Sequence, residues 1–402
     1  DCRRYWAKFR AEEIDEDEIN EVNNQLVPTV GTCGVMGTAS TMALITEALG
    51  IMLPNGACAP AVSAERKRIA EETGRVAVEI ASKDLRPSKF LTIKNFQNAL
   101  TVLSAIGGST NGIVHLTAIA GRLGFDLNLN DFDEMTKNTP MIVDLKPSGS
   151  GYMEDLFKSG GLPRILVELK DYLHLDTLSV TGKTLKQLID KTNFTWPQEI
   201  IRKKDNPIFE KGSIAVLNGN LAPGSAIIKQ SAASKELLYH EGKVEVFENL
   251  EDLASRIDSD DLDVTKDSIL LLRNIGPIGA PGMPEAGLIP IPKKLAKQGV
   301  KDMVRISDGR MSGTASGTIV LHVCPESAVG GPLNVVESGD FIKLDVNNRS
   351  LELMLSDKEI KLRMDNKKLN INSKRRGYNK LFHETVLQAD KGVDFDFLRP
   401  VE

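Results

Sequence analysis

The run Ile269-Leu270-Leu271-Leu272-Arg273-Asn274-Ile275-Gly276-Pro277-Ile278-Gly279-Ala280-Pro281-Gly282-Met283-Pro284-Glu285 decides how this chain is read. Its first four residues are a short apolar segment bounded by turn formers, the pattern of a strand. The ten that close it hold three Pro and three Gly, and such a run is neither helix nor interior strand. It fixes a backbone shape and delivers one carboxylate, Glu285. A second loop of the same kind follows, Ser307-Asp308-Gly309-Arg310-Met311-Ser312-Gly313-Thr314. It delivers one hydroxyl, Ser312, beside a glycine that lets a ligand approach the backbone closely. Loops of this sort on a rigid scaffold are where chemistry usually sits.

Around these loops the chain is strand-rich. Residues 214–217, 244–247 and 318–321 repeat the short apolar pattern, and 341–355 alternates on both sides of Asn347-Asn348, a hairpin signal. Before Asn206 the character is helical. Helices are predicted over 12–25, 40–49 (stopped by Gly50), 63–83 (capped by Ser63), 93–105, 112–122 and 162–175. Pro87 prevents continuation of the third, and Met141 to Leu145 reads as a buried strand. The expected fold class is α/β, with an α/β domain over 1–200 and a β-rich domain over 206–402.

The 402 residues, 41% hydrophobic, can bury one large core or two ordinary ones. A net charge of -5 without a basic stripe excludes nucleic acid as an expected partner, and the cluster from Lys374 to Arg376 reads as a solvated turn. No apolar run reaches membrane-spanning length and no signal peptide opens the chain, so no membrane partner is expected. Cys2, Cys33, Cys58 and Cys324 are too sparse for a disulfide framework, which fits a reducing cytoplasm. There is no CxxC and no HExxH, so no self-contained zinc site is expected. The opening Asp1-Cys2-Arg3-Arg4-Tyr5-Trp6 does not read like a natural start, and a fragment lacking an N-terminal part is expected.

Three residues carry candidate chemistry. Glu285 is a metal ligand or acid/base group, or else a helix N-terminal or solvated carboxylate. Ser312 is a base or nucleophile if something lowers its pKa, or else a turn serine. Cys33, in Gly31-Thr32-Cys33-Gly34-Val35-Met36-Gly37-Thr38-Ala39-Ser40, is a thiolate or cluster ligand, or else a buried small hydrophobe. Cys58 and Cys324 have apolar contexts, and Cys2 reads as an exposed terminal residue. Gly107-Gly108-Ser109-Thr110-Asn111 is an anion site at a helix start or a cap in tight helix packing. The five histidines stand singly, with core or surface roles. No GxSxG motif supports a serine hydrolase.

In order and spacing, GTCGVMGTASTM (31–42), IGGSTN (106–111), VDLKPSG (143–149), LNGNLAPGSA (217–226), GPIGAPGMPE (276–285), ISDGRMSGTASG (306–317) and VLQADKGVDFDFL (386–398) resemble the dihydroxy-acid and phosphogluconate dehydratases. CGVMGTASTM and Arg273 to Ala280 lean to the sugar-acid branch. The resemblance implies dehydration of a 2,3-dihydroxy acid to a 2-keto-3-deoxy acid, with an iron–sulfur cluster ([2Fe–2S] or [4Fe–4S]) and Mg²⁺. It implies that Cys33 is one of three cluster cysteines, Glu285 a Mg²⁺ ligand and Ser312 the base at C2, with Gly313 and Thr314 as candidate substrate contacts. It also implies a homodimer or homotetramer, and a β-barrel-like second domain similar to the swivelling domain of aconitase, with Ser312 and Glu285 facing Cys33 between domains. The family's other cluster cysteines, a further acidic ligand and a lysine are not matched here, so the chain by itself is expected to be inactive. A branched-chain dihydroxy-acid dehydratase and a non-catalytic binding or assembly subunit are the alternatives.

Overall fold

A computed structural model describes residues 2–26, 29–367 and 375–400. Lys374 of the basic cluster lies outside them, Arg376 is exposed and Arg375 half-buried. Two helices open the chain. Cys2–Arg10 buries none of its residues, and Glu16–Asn24 starts at Asp15, whose carboxylate accepts the Glu18 N–H at 2.9 Å. The first of these is absent from the sequence expectation, and the second is a shortened form of the predicted 12–25 helix.

Thr38–Ala48, Ile93–Ala105 and Asn111–Arg122 then pack a first core around Leu44, Phe96, Leu103, Ile113 and Leu116, while a long helix between them, Ala64–Ser82, buries none of its residues. Ser63 caps that long helix as its side chain accepts from Arg66 N at 3.2 Å. Pro87 takes the first position of a short helix, Pro87–Phe90, where its missing N–H is no loss. The predicted 162–175 helix ends at Glu168 and continues as a 3₁₀ turn, Lys170–Tyr172. The strand expected over 141–145 is extended, yet it makes isolated bridges to Phe209, Ile201 and Gly151 rather than joining a sheet.

The second half builds an eight-stranded sheet from β1 (Ala215–Leu217), β2 (Ser225–Ile228), β3 (Tyr239–Phe247), β4 (Ile269–Leu272), β5 (Arg305–Ser307), β6 (Ile319–Cys324), β7 (Phe341–Asp345) and β8 (Ser350–Leu353). Its order is β1-β2-β6-β5-β4-β3-β7-β8, with β3, β4, β5 and β6 mutually parallel. The two ends nearly close a barrel, since Asn218 N donates to Arg349 O at 2.9 Å and Leu351 N to Asn218 O at 2.8 Å. The period of two sorts the side chains. Ile269 and Leu271 enter the barrel interior with Ile306, Val320 and Leu344, whereas Leu270 and Leu272 join an outer core with Met303 and Met311. On β1 and β2, Val216 and Ile227 face the first core, which welds the barrel to the helical half.

Strands β4 and β5 are parallel neighbours, paired Leu272 to Ser307. The carboxylate loop leaves β4 and the serine loop leaves β5, so both start from the carboxyl end of adjacent parallel strands. Ligand-binding loops characteristically sit at that end in open parallel sheets.

Candidate functional site

Each loop is braced from below. Asp308 Oδ2 accepts from Asn274 N at 3.1 Å and Ser327 N at 2.9 Å, and its Oδ1 accepts from Ile275 N at 3.1 Å. Burial pushes its pKa up to about 6, against the pull of those N–H groups. Glu326 accepts from Ile278 N at 2.9 Å and Gly279 N at 2.9 Å, and Gln388 Nε2 donates to it at 2.8 Å. Along the carboxylate loop Asn274 (φ 60) and Met283 (φ 47) hold left-handed backbone, sparsely populated for side-chain-bearing residues. Met283 O accepts from Arg310 Nε at 2.6 Å, and Ala286 N donates to Arg310 O at 2.9 Å. The two loops are therefore stitched to each other before they reach the rest of the site.

Glu285 Oε2 accepts from Asn111 Nδ2 at 3.0 Å and stands 3.5 Å from Thr38 Oγ1 and 3.9 Å from the Arg310 guanidinium. Asn111 is fully buried at the start of the helix Asn111–Arg122, and its Nδ2 also lies 2.9 Å from Thr38 Oγ1 and 3.1 Å from Met311 O. Glu285 thus meets this helix start through the Asn111 side-chain amide, while the Asn111 backbone N–H is capped by Ser109 Oγ at 3.2 Å. Tight packing holds as well, since a Cβ on Gly108 would come within 2.5 Å of Leu103.

Ser312 Oγ lies 2.8 Å from Thr314 Oγ1 and accepts from Thr314 N at 3.3 Å. The close approach expected at Gly313 is made by the protein itself. A Cβ there would sit 2.8 Å from Ser109 Cβ and 2.9 Å from Thr38 N, so glycine lets the serine loop seat on two helix starts. Thr314 Oγ1 accepts from Arg3 Nε at 2.8 Å, and its methyl lies 3.6 Å from where a Cβ on Gly37 would be. The helix Thr38–Ala48 follows directly on the Cys33 loop, so the structure brings Glu285, Ser312 and that loop to one place.

Cys33 is exposed rather than buried, on a loop pinned by Ser40 Oγ, which donates to Val35 O at 2.8 Å and Cys33 O at 3.3 Å. Cys58 and Cys324 are buried, and Cys2 is half-buried where exposure was expected. Beneath Arg310 lies a histidine pair. His322 is buried with neither ring nitrogen bonded, at a left-handed φ of 56 inside β6. Burial, with Arg310 and His115 adding, drives its pKa down to about 3. Burial and Arg310 also lower His115. A cavity of about 310 Å³ lined by Glu47, Asn95, Leu166 and Phe194 lies in the helical half, lined by none of these groups.

Among the described residues no three His, Cys, Asp or Glu side chains gather into a metal-holding group. The donors still fit in kind. Glu285 and the buried, unbonded Asn111 Oδ1 are hard oxygens suited to Mg²⁺, and Cys33 offers one thiolate of the several a cluster takes. Arg3, Arg310 and Thr38 were not singled out in the sequence, because their places depend on distant partners. No helix among the described residues is long and apolar enough to cross a membrane.

Comparison with known proteins identifies the family. Residues 1–188 match the Dihydroxy-acid/6-phosphogluconate dehydratase N-terminal family, and residues 199–393 match its C-terminal counterpart. The chain is 46% identical over 398 residues to an L-arabinonate dehydratase of Rhizobium leguminosarum bv. trifolii, covering 98% of this chain and 69% of that protein. It is 42% identical over 403 residues to a 6-deoxy-6-sulfo-D-gluconate dehydratase of Pseudomonas putida, covering 100% and 69%. A dihydroxy-acid dehydratase of Acetivibrio thermocellus is 38% identical over 388 residues, covering 96% and 69%. Nothing in these matches supports the expectation of an inactive chain.

Proposed function

Because the chain belongs to the dihydroxy-acid/6-phosphogluconate dehydratase family, we propose that it dehydrates a sugar acid, converting an aldonate to its 2-keto-3-deoxy acid. One observation carries this reading. The loops of Glu285 and Ser312 converge on the starts of the helices Thr38–Ala48 and Asn111–Arg122, beside the Cys33 loop. The sugar-acid assignment draws on relatives named for L-arabinonate and sulfogluconate.

In this reading Ser312 Oγ, as the alkoxide, takes the C2 proton and becomes a hydroxyl. The C3 hydroxyl leaves with its bonding pair and is protonated to water at the expense of the Ser312 proton, and the resulting enol tautomerises to the keto acid. The C2 proton is weakly acidic, so its removal needs a strong base and positive charge near the substrate carboxylate. Glu285, with Asn111 beside it, would hold Mg²⁺, and Cys33 would supply one thiolate to an iron–sulfur cluster of [2Fe–2S] or [4Fe–4S] type. When bound, these groups supply Lewis acidity to the departing hydroxyl and charge for the carboxylate. Asn111 fixes the Glu285 carboxylate through its amide hydrogen bond, and Arg310 holds the backbone of the carboxylate loop at Met283. Thr314 lines the approach to Ser312 as a candidate substrate contact, whereas Gly313 is turned to Ser109 and Thr38 and serves to seat the loop.

We further read the chain as two domains, 1–200 and 206–402, the second akin to the swivelling domain of aconitase. We read it as a cytoplasmic homodimer or homotetramer whose partner is a small sugar acid.

The test is turnover after anaerobic loading with iron, sulfide and Mg²⁺, with cluster content verified by absorbance. L-Arabinonate, D-gluconate and 2,3-dihydroxyisovalerate are offered in turn and 2-keto acid is measured. Turnover of an aldonate in preference to dihydroxyisovalerate is expected. Preference for dihydroxyisovalerate moves the chain to the branched-chain enzymes, and no turnover by the loaded protein refutes the reading.

A further inference from the structure

Arg3 lies at the far end of the sequence from the serine loop, on the helix Cys2–Arg10. Its Nε donates to Thr314 Oγ1 at 2.8 Å and its Nη2 to Gly287 O at 3.3 Å. The helix is held for this reach. Arg10 donates twice to Asp258, at 2.8 and 2.6 Å, and once to Ile291 O at 3.1 Å. Lys293 and Lys297 each meet Glu12 at 2.8 Å just beyond its end. A helix that buries no residue of its own is thus fastened to the β-rich half, with one guanidinium aimed at the loop of Ser312.

Hydrogen-bond direction follows from the donor inventory. A guanidinium has five N–H donors and no acceptor, so Thr314 Oγ1 accepts from Arg3. The single Thr314 hydroxyl proton then goes to Ser312 Oγ, 2.8 Å away. The opposite direction would give Thr314 Oγ1 two donors and turn its proton towards a cation. An oxygen that accepts a charge-assisted hydrogen bond is also the better donor in its turn. Ser312 Oγ already accepts Thr314 N–H at 3.3 Å. It therefore receives two hydrogen bonds from one residue and keeps its own proton off that residue. Hydrogen bonds donated to an oxygen favour its anionic form.

We infer that Arg3 is a positioning residue for the proton abstraction, acting through Thr314 to hold Ser312 Oγ as a hydrogen-bond acceptor. The inference rests on the reading of Ser312 as the base. Arg3 touches neither substrate nor any bound group in this account, and its influence passes through the Thr314 hydroxyl. The guanidinium is half-buried, and burial lowers its pKa while the nearby Glu285 carboxylate opposes that.

Two measurements test it. The first needs no cofactor and uses the chain labelled with ¹⁵N-arginine. The Arg3 Nε–H signal, assigned by its loss in Arg3→Lys, is expected to exchange slowly with solvent. In Thr314→Val that exchange should accelerate at least about tenfold, while Ser312→Ala leaves it slow. Equal exchange in wild type and Thr314→Val overturns the proposal.

The second uses the cluster- and Mg²⁺-loaded protein with a C2-deuterated aldonate. Arg3→Gln should lower kcat about tenfold with KM within about twofold, and should raise the deuterium isotope effect on kcat. Arg3→Lys should recover part of the loss. A loss confined to KM, or unchanged kcat, overturns the proposal. If the wild-type protein turns over no aldonate, the functional reading fails, and the Arg3 exchange rate still decides whether the relay exists.

Discussion

Asn111 Nδ2 stands 3.0 Å from Glu285 Oε2, joining the start of a helix in the first core to a loop that leaves the sheet 174 residues later. The same nitrogen lies 3.1 Å from Met311 O, so one amide touches both functional loops.

Removing that amide should loosen both loops. Asn111→Ala is expected to lower stability by about 1–3 kcal/mol, the usual range for buried groups left unpaired. Asn111→Asp should be worse near pH 7, since it sets a second carboxylate against Glu285. Urea unfolding in EDTA measures both, and an Asp variant as stable as the Ala variant would count against the close pairing.

Gly313→Ala would place a Cβ 2.9 Å from the backbone nitrogen of Thr38. A helix start cannot yield as a flexible side chain can, so the serine loop must shift. Overpacking of this kind typically costs about 1–3 kcal/mol. The melting temperature should fall, and in the loaded enzyme kcat should fall further than stability alone accounts for. A variant with wild-type melting temperature and kcat would show that the loop is not seated there.

His322 stays neutral in the fold because burial drives its pKa from 6.5 down to about 3. Between those values the unfolded chain binds a proton that the folded chain refuses. Stability owed to the neutral ring is complete above pH 6.5 and is lost as pH falls towards 3. Compared with His322→Asn, which tolerates left-handed backbone without titrating, wild type should lose up to about 1.4 kcal/mol per pH unit in that window. Unfolding at pH 7 and pH 5 gives the difference, and a flat difference refutes it.

Lys229 is buried with no bonded partner, and burial alone brings its pKa down to about 8. Lys229→Met, similar in length and apolar, should stabilise the chain at pH 7 by about 1–3 kcal/mol. The advantage should narrow from pH 8 to 10.5, because the folded wild type sheds its proton before the unfolded chain does. A gain that stays constant from pH 7 to 9.5 would mean the ammonium has a partner.

Much of this architecture is legible in the sequence where a local rule suffices. The strands at 215–217 and 269–272, the second half of 239–247, the first half of 319–324 and the hairpin closed by Asn347-Asn348 follow from apolar pattern and turn chemistry. β5 escapes because Arg305-Ile306-Ser307 is three residues long and begins on an arginine, buried here against Asp302 at 2.6 Å. β2 escapes because Ser225 opens it at a φ of 104, which no side-chain pattern announces. Glu285 and Ser312 stand out because glycine and proline isolate them. Arg3 and Asn111 do not, since what they do depends on partners 311 and 174 residues away, where periodicity carries no information.

Those separations bear on how the protein is made. Arg3 leaves the ribosome 311 residues ahead of Thr314, and at typical elongation rates that is a wait of roughly 15–60 s. The partners that fasten the helix Cys2–Arg10 and its end to the β-rich half, Asp258 and Lys293, are not yet synthesised for most of that interval. Trp6, 42% exposed even in the finished fold, is still less covered then. The contact between Arg3 and the serine loop therefore cannot form until most of this sequence has been made, and the geometry at Ser312 is settled late.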